Sequence, residues 1–80
     1  MNLGQAVGLR TLELLQQKGV SQYRLTRLAG FNDKTIPDLV NGRTNNVKVV
    51  TVFRIAEALG VSMSTFMRSP LFNKKNIDVE

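Results

Sequence analysis

The side chains in this sequence that could do chemistry are mostly cations and amides, and the usual catalytic groups are scarce. The 80 residues include 11 Lys and Arg and 6 Asp and Glu, with no His and no Cys. The commonest general base and the commonest thiol nucleophile are therefore missing. The acids are too scattered to form a catalytic or metal-binding pair on one helix face. We expect no enzymatic activity, no metal and no cofactor.

The charge balance instead favours a polyanionic partner. A formal net charge of +5 and an isoelectric point near 10.3 are a strong bias for one small domain, and they attract nucleic acid at long range. Solubility alone is the alternative explanation of the same charge. No apolar run is long enough to cross a membrane, and no signal peptide is evident. We therefore expect a cytoplasmic protein without a membrane partner.

Polar side chains are concentrated in the segment "GFNDKTIPDLVNG", residues 30 to 42. Two of its acids, Asp33 and Asp38, would repel phosphates, and its proline, Pro37, would disturb a helix. A helix that began at Asn32 would lose a backbone hydrogen bond at Pro37, which costs about 3 kcal/mol. We therefore expect this helix to start late, so that the proline falls near its first turn.

Five helices must position this segment, and each has start and stop signals in the sequence. They run from about Asn2 to Lys18, Ser21 to Gly30, Asn32 or Asp33 to Asn41-Gly42, Val49 to Gly60, and Ser62 to Pro70. Apolar positions at helical spacing predict the buried faces of two of them. In the first helix the residues that fall on one side are Leu3, Val7, Thr11, Leu14, Leu15 and Lys18, of which Lys18 suits the negative end of the helix. In the fourth helix the apolar repeat comprises Val49, Val52, Phe53, Ala56 and Leu59. Short helices joined by tight turns predict an all-α bundle.

The link between the second and third helices determines how they cross. Only a few residues around Gly30 join them, so they are expected to cross steeply instead of lying antiparallel. Such a crossing needs a small residue on the earlier helix, a glycine in the turn and branched apolar anchors on the later helix. These positions are occupied by Thr26, Gly30, Ile36 and Leu39. Their order is the spacing of a helix-turn-helix.

The stretch "GVSQYRLTRLAGFNDKTIPDLVNGRTNN", followed by "TVFRIAEALGVSMSTF", resembles helix-turn-helix regulators of the Cro and phage-repressor type, the XRE-like family. The resemblance covers about Leu12 to Phe66 and includes the Ser-Gln opening of the second helix, the turn glycine and "IAEALGVS". It implies a five-helix, lambda-repressor-like DNA-binding domain over residues 1–69. Residues 70–80 would form a C-terminal tail and a dimerisation arm.

The resemblance also implies roles in DNA binding for particular positions. The implied contacts are a phosphate for Gln22, base edges in the major groove for Asn32, Asp33, Lys34 and Asp38, and the DNA backbone for Thr35, Asn41, Arg43, Thr44 and Lys48. Alternatively, Arg43 and Lys48 are solvated loop charges and Asp33 caps the third helix. Neither acid excludes DNA, because a carboxylate in the groove can accept a hydrogen bond from cytosine.

Some positions either depart from the family pattern or are expected to have no role in binding. Arg24, Arg27 and Arg54 are expected to be ordinary surface residues. Leu28 and Val50 stand where the family is often polar, so both are expected to be exposed. They could mark a partner surface, although isolated exposed apolar residues are commonplace.

The tail "SPLFNKKNIDVE" is too apolar for a terminus that only dangles. Its last apolar residues alternate with acids, which is a short strand-like pattern at best. We expect the fifth helix and the tail to form a dimer contact through Phe66, Met67, Leu71 and Phe72. In the alternative, Leu71 and Phe72 fold back on their own core while the rest frays.

Together these features predict a sequence-specific, double-stranded-DNA-binding transcriptional regulator that acts as a homodimer. With no second domain for ligand sensing in the sequence, the chain is typical of a small repressor of a phage, a mobile element or a bacterial operon. The alternative is a protein-interaction module on the same fold, such as an antitoxin. The acidic, proline-bearing third helix favours that alternative.

Overall fold

All five predicted helices are present in the computed structural model of the chain, which describes residues 1–78. They are α1 (Leu3–Lys18), α2 (Gln22–Ala29), α3 (Thr35–Val40), α4 (Val49–Ala58) and α5 (Met63–Met67), followed by 3₁₀ turns at Pro70–Phe72 and Lys74–Asn76. Residues 1–78 contain no strand. The predicted all-α, five-helix fold is confirmed.

The helix ends follow from short polar side chains and from glycine. The Asn2 side-chain oxygen accepts a hydrogen bond from the Gln5 amide at 2.8 Å, and the Gln5 side chain accepts one from the Asn2 amide at 2.9 Å. This reciprocal pair is a capping box that begins α1. The Ser21 hydroxyl caps α2 by accepting from the Arg24 amide at 3.0 Å, as predicted. Gly30 ends α2 with a φ of 73°, a left-handed conformation that favours glycine.

The core is a single cluster of apolar side chains to which every helix contributes. Its buried members are Val7, Leu14, Leu15, Leu25, Ile36, Leu39, Val52, Ile55, Ala56, Leu59 and Phe66. Leu25 of α2 and Ile36 of α3 are both completely buried in it. The core therefore holds α2 and α3 in a fixed relation to each other.

Three predicted core positions are wrong. Val49 is 76% exposed, Phe53 is 49% exposed and Leu3 is 44% exposed. The buried face of α4 instead follows the spacing from Val52 to Ile55, and Phe53 lies about 100° around the helix from Val52. A large apolar side chain was therefore not sufficient to identify the buried face.

Two glycines allow other parts of the chain to approach the backbone of α1 closely. A Cβ atom at Gly8 would collide with the Leu39 carbonyl oxygen in α3, and a Cβ atom at Gly4 would collide with the Thr44 carbonyl oxygen in the following loop. The Gly4 amide also donates to the Asn45 carbonyl oxygen at 3.2 Å. α1 therefore positions both α3 and the loop that follows it.

A buried arginine connects α1 to α5. The Arg10 Nε and Nη2 atoms donate to the carbonyl oxygens of Phe66 and Thr65, each at 2.8 Å. The Arg10 Nη1 atom lies 3.3 Å from the Glu13 carboxylate. The Phe66 carbonyl belongs to the last turn of α5, where carbonyls lack partners within the helix, and the Thr65 carbonyl also accepts from the Arg68 amide at 3.2 Å. The bonds from Arg10 compensate for burial of its guanidinium group.

The C-terminal segment packs against the N-terminus. The Met1 ammonium group donates to the Asn76 carbonyl oxygen at 3.0 Å and lies 3.4 Å from the Asp78 carboxylate. The Asp78 amide donates to the Met1 carbonyl oxygen at 2.8 Å. The strand-like pattern predicted near the end falls partly on Ile77, which follows a 3₁₀ turn. Its remaining apolar residue, Val79, lies outside the described residues.

The four residues expected to form a dimer contact differ in their exposure, and not all of them lie on the surface. Phe66 is completely buried, so a second subunit cannot reach its side chain, and it is a core residue. Leu71 and Phe72 are partly buried, and the Phe72 ring centroid lies 6.2 Å from that of Phe66. These two residues follow the alternative in which the start of the tail folds back on its own core. Met67, at 40% exposure, remains accessible.

Candidate nucleic-acid interface

The exposed side of α3 and the loop before α4 form the walls of an open groove of about 580 Å³. Seven of the ten predicted DNA-binding residues line this groove: Asn32, Asp33, Lys34, Thr35, Asp38, Thr44 and Lys48. The fold therefore brings together polar side chains from before, within and after α3.

The other three predicted residues have separate positions. Gln22, the first residue of α2, borders a neighbouring depression that it shares with Asp33. Arg43 is not part of the groove wall, but it is hydrogen-bonded to Asp38, which is. Asn41 borders a depression beside α1 and is not brought into the groove.

Asp38 and Arg43 form an ion pair at the edge of the groove. The Arg43 Nη1 atom lies 3.1 Å from the Asp38 Oδ1 atom, and the Arg43 amide donates to the Asp38 carbonyl oxygen at 2.8 Å. The two side chains are 64% and 41% exposed, respectively. The pair places a positive charge directly beside the acid that would otherwise repel a phosphate, and it restricts where the guanidinium group can lie.

The start of α3 explains how the helix accommodates a proline. Lys34 occupies the cap position and Pro37 is the third helical residue, so the predicted late start is confirmed and the cap lies one or two residues later than predicted. The first three helical residues need no amide partner within the helix. The first helical bond runs from the Asp38 amide to the Lys34 carbonyl oxygen at 2.9 Å. Pro37 therefore removes no helical hydrogen bond.

Asn32 has a structural role in the turn before α3. Its side-chain oxygen accepts from the Lys34 amide at 2.9 Å and from the Thr35 hydroxyl at 3.2 Å. Asparagine side chains commonly stabilise turns in this way. The carboxamide nitrogen of Asn32 makes no hydrogen bond to the rest of residues 1–78, and it can donate to a ligand in the groove.

Arg54 supports the turn between α2 and α3, so its prediction as an ordinary surface residue is wrong. Its Nη2 atom donates to the carbonyl oxygens of Ala29 at 2.6 Å and Gly30 at 3.2 Å. Its guanidinium carbon lies 4.6 Å from the centroid of the Phe31 ring, within range of a cation–π interaction. A cation is favourable at the end of a helix, and this one connects α4 to the helix-turn-helix.

Two polar residues that line the groove were not predicted to bind DNA. Asn46 and Thr51 also line it. Thr51 lies three residues after Lys48, a helical spacing that could have indicated it, whereas nothing in the polar loop distinguished Asn46. The neighbouring Asn45 anchors this loop, because its side-chain oxygen accepts from the Asn2 Nδ2 atom at 3.2 Å.

The groove is bordered by both signs of charge. Its cations, including the adjacent arginine, are Lys34, Arg43 and Lys48, and its acids are Asp33 and Asp38. Binding there would therefore depend on the arrangement of individual donors and acceptors as well as on net attraction. Within residues 1–78, no three Asp or Glu side chains come together as a group that could hold a metal ion. Over the same residues, no helix combines the length and the apolar character that a bilayer crossing requires.

A short helix that follows another across a glycine turn, with both anchored in one core and polar groups exposed, defines a helix-turn-helix domain. A profile of the Cro/C1-type HTH DNA-binding domain matches residues 12–69, and the chain belongs to that family. The predicted family is thereby confirmed.

Two known proteins are similar to most of the chain. An uncharacterised HTH-type transcriptional regulator of Sinorhizobium fredii, y4dJ, is 34% identical over 62 residues, which are 78% of this chain and 79% of that protein. The crystal structure of prophage Lp1 protein 11 superposes with a TM-score of 0.80 at 28% identity and covers 92% of this chain and 99% of the other. The structural similarity to the prophage protein therefore extends over nearly the whole of both chains.

Proposed function

We propose that this protein is a transcriptional regulator that binds double-stranded DNA sequence-specifically, with α3 in the major groove. The observation that supports this most strongly is the single groove shared by seven predicted contact residues. Lys34, Thr35 and Asp38 of this groove belong to the start of α3, which is the part of a recognition helix that meets base edges in this class of domain.

The groove residues divide between two tasks. Asp33, Lys34 and Asp38 can hydrogen-bond to base edges, with lysine suited to guanine and a carboxylate suited to cytosine. Thr44 and Lys48, which line the groove from the loop before α4, would contact the DNA backbone. Backbone contacts fix the position of the domain, and only the base contacts read sequence.

The biological role that we propose is that of a small repressor of a phage, a mobile element or a bacterial operon. Its support is comparative: the Sinorhizobium relative is a transcriptional regulator and the structural neighbour is a prophage protein. A single small module offers limited contact area, so we further propose that two copies bind one operator.

Selection of bound sites from random duplex DNA tests sequence-specific binding directly. We expect one enriched motif with two related halves, and a binding constant whose logarithm falls linearly with the logarithm of salt concentration. Recovery of random sequences, or no duplex binding at low salt, would contradict the proposal and favour a protein-interaction module.

The assignment of backbone contacts has its own test. Lys48→Ala and Arg43→Ala should each weaken binding to all duplexes about equally and flatten the salt slope by roughly one unit. Lys18→Ala, at the end of α1 and away from the groove, serves as the matched control for lost charge. Unchanged salt slopes in both the Lys48 and the Arg43 variants would remove these residues from the interface.

A further inference from the structure

The two polar atoms of the Asn32 side chain differ in their availability to a ligand. The Oδ1 atom accepts from the Lys34 amide at 2.9 Å and from the Thr35 hydroxyl at 3.2 Å. The Nδ2 atom carries two hydrogens and makes no hydrogen bond within residues 1–78. The side chain is exposed and lines the groove. The turn before α3 therefore uses the acceptor of this amide and leaves its donor free.

The orientation of the Asn32 amide is fixed by its partners. A backbone N–H group can only donate, so the atom that faces the Lys34 amide must be the carboxamide oxygen and not the nitrogen. Rotation of the amide by half a turn would set two donors against each other and break both hydrogen bonds of the turn. The amide therefore presents a donor to the groove before any ligand binds.

We propose that Asn32 determines sequence specificity as a donor-only residue and selects guanine. In the major groove, guanine presents two acceptors, N7 and O6, whereas adenine presents its N7 acceptor beside the N6 amine. An asparagine that reads adenine uses both amide atoms, one as donor and one as acceptor. In Asn32 the acceptor is already occupied, so its two N–H groups match guanine. This inference rests on the proposed function and names a base that the groove selects.

Thr35 has a positioning role in this arrangement. A hydroxyl group has one hydrogen, and that of Thr35 is directed to the Asn32 Oδ1 atom. A phosphate oxygen needs a donor, and the hydroxyl hydrogen is already engaged within the turn. Thr35 thus acts through Asn32, in place of the DNA-backbone contact that the family resemblance implies.

The acids of the groove have the complementary preference. The carboxylates of Asp33 and Asp38 only accept hydrogen bonds when they are ionised, which suits the cytosine amine. Asp33 follows Asn32 directly, and all three side chains line the groove. Donor-only and acceptor-only groups therefore lie side by side, and together they favour G·C base pairs.

Asn32→Asp tests the assignment, because it preserves the turn and changes the atom that faces the groove. One carboxylate oxygen can still accept from the Lys34 amide and the Thr35 hydroxyl, and aspartate suits turns and helix starts as well as asparagine does. The other oxygen replaces the Nδ2 donor with an acceptor. The variant should resist urea as well as the wild type does. Its preference at one base pair of the selected motif should change from guanine to cytosine.

Competition binding to duplexes that differ only at this base pair measures the preference. The wild type should bind the guanine duplex roughly tenfold more tightly than the adenine duplex. Asn46→Asp is the matched control, because it makes the same change of charge in the same groove and takes no part in the turn. It should lower affinity for all duplexes and keep the guanine preference at this base pair.

Two substitutions test the positioning role of Thr35. Thr35→Val removes the hydroxyl group and should reduce the guanine preference several-fold, with affinity for unrelated duplexes unchanged. Thr35→Ser keeps the hydroxyl group and should keep the preference. An equal loss of affinity for every duplex in Thr35→Val would overturn this role and indicate a contact with the DNA backbone.

Two results would overturn the assignment of Asn32. One is a wild-type preference for a base other than guanine at the base pair that Asn32→Asp alters. The other is an Asn32→Asp protein with the wild-type preference at every base pair. Either result leaves the proposed function standing, because the protein still binds a specific duplex. A wild-type protein that prefers no sequence would contradict the proposed function together with this inference.

Discussion

The Asp38 carboxylate both lines the groove and forms an ion pair with Arg43. It lines the groove, where it faces any bound phosphate or base, and it lies 3.1 Å from the Arg43 Nη1 atom. An ion pair so exposed contributes on the order of 0–1 kcal/mol to stability. Under the proposed function, this carboxylate would also orient the guanidinium group and reduce its attraction to phosphates, so Asp38 would favour selectivity over affinity.

Replacement of this carboxylate gives a test at the residue scale. In Asp38→Asn, Arg43 loses its ionic partner, so affinity for unrelated duplexes should rise roughly two- to five-fold. The preference for the selected operator should fall at the same time, because the acceptor for a cytosine amine is weakened. Competition binding at one salt concentration measures both. Glu13→Gln, which makes the same change of charge outside the groove, is the control, and unchanged affinities would contradict the interpretation.

At the scale of the element, α3 is defined by where it starts. Pro37 is the third helical residue, so its missing amide would have had no partner within the helix. The stability penalty expected for a proline beyond the first turn therefore does not apply. The proline instead restricts the unfolded chain, which favours the folded state modestly.

Pro37→Ser should therefore lower the free energy of unfolding by about 0.4–1 kcal/mol. Urea denaturation of both proteins measures the difference, with the slope of the transition as the check that the same surface unfolds. A stabilisation of about 3 kcal/mol in the serine variant would instead mean that the helix extends back to Asn32 and that the proline interrupts it.

The contact between α3 and α1 gives a second test at this scale. In a helix interior, Gly8→Ala would normally stabilise by about 1 kcal/mol through helix propensity. Here the added Cβ atom collides with the Leu39 carbonyl oxygen, which is backbone and cannot rotate away. We expect a net loss of about 1–3 kcal/mol in the free energy of unfolding. Gln17→Ala, at an exposed position of α1, is the control, and a stabilised Gly8→Ala protein would refute the close approach.

The helices could be predicted because their ends depend on local sequence signals. Features that depend on contacts between distant residues could not be predicted. Ser21 and Gly30 determine the ends of α2 through bonds within a few residues, so the sequence shows them. The choice between Phe53 and Ile55 for the core depends on a rotation of α4 that its neighbours decide. Likewise, Asn45 is anchored by Asn2 across 43 positions of sequence, a pairing that no local pattern reveals. The groove residues were found largely through family resemblance.

At the scale of the whole molecule, the two ends of the described chain stabilise one another. Met1 contacts both Asn76 and Asp78, and the Pro70–Phe72 turn packs against α1. Phe72 extends the core through its contact with Phe66. The start of the tail therefore belongs to the folded domain, and its apolar residues are explained by packing within one copy.

Deletion of residues 71–80 should consequently act on stability and leave self-association intact. Loss of the partly buried Phe72 should lower the free energy of unfolding by about 1–2 kcal/mol, which thermal or urea denaturation detects. Sedimentation should give the truncated and the full-length proteins the same oligomeric state, because Phe72 packs within its own copy. Phe72→Ala in the full chain should reproduce most of the lost stability and serves as the matched variant. A truncated protein that remains equally stable but becomes monomeric would instead identify the tail as the dimerisation arm.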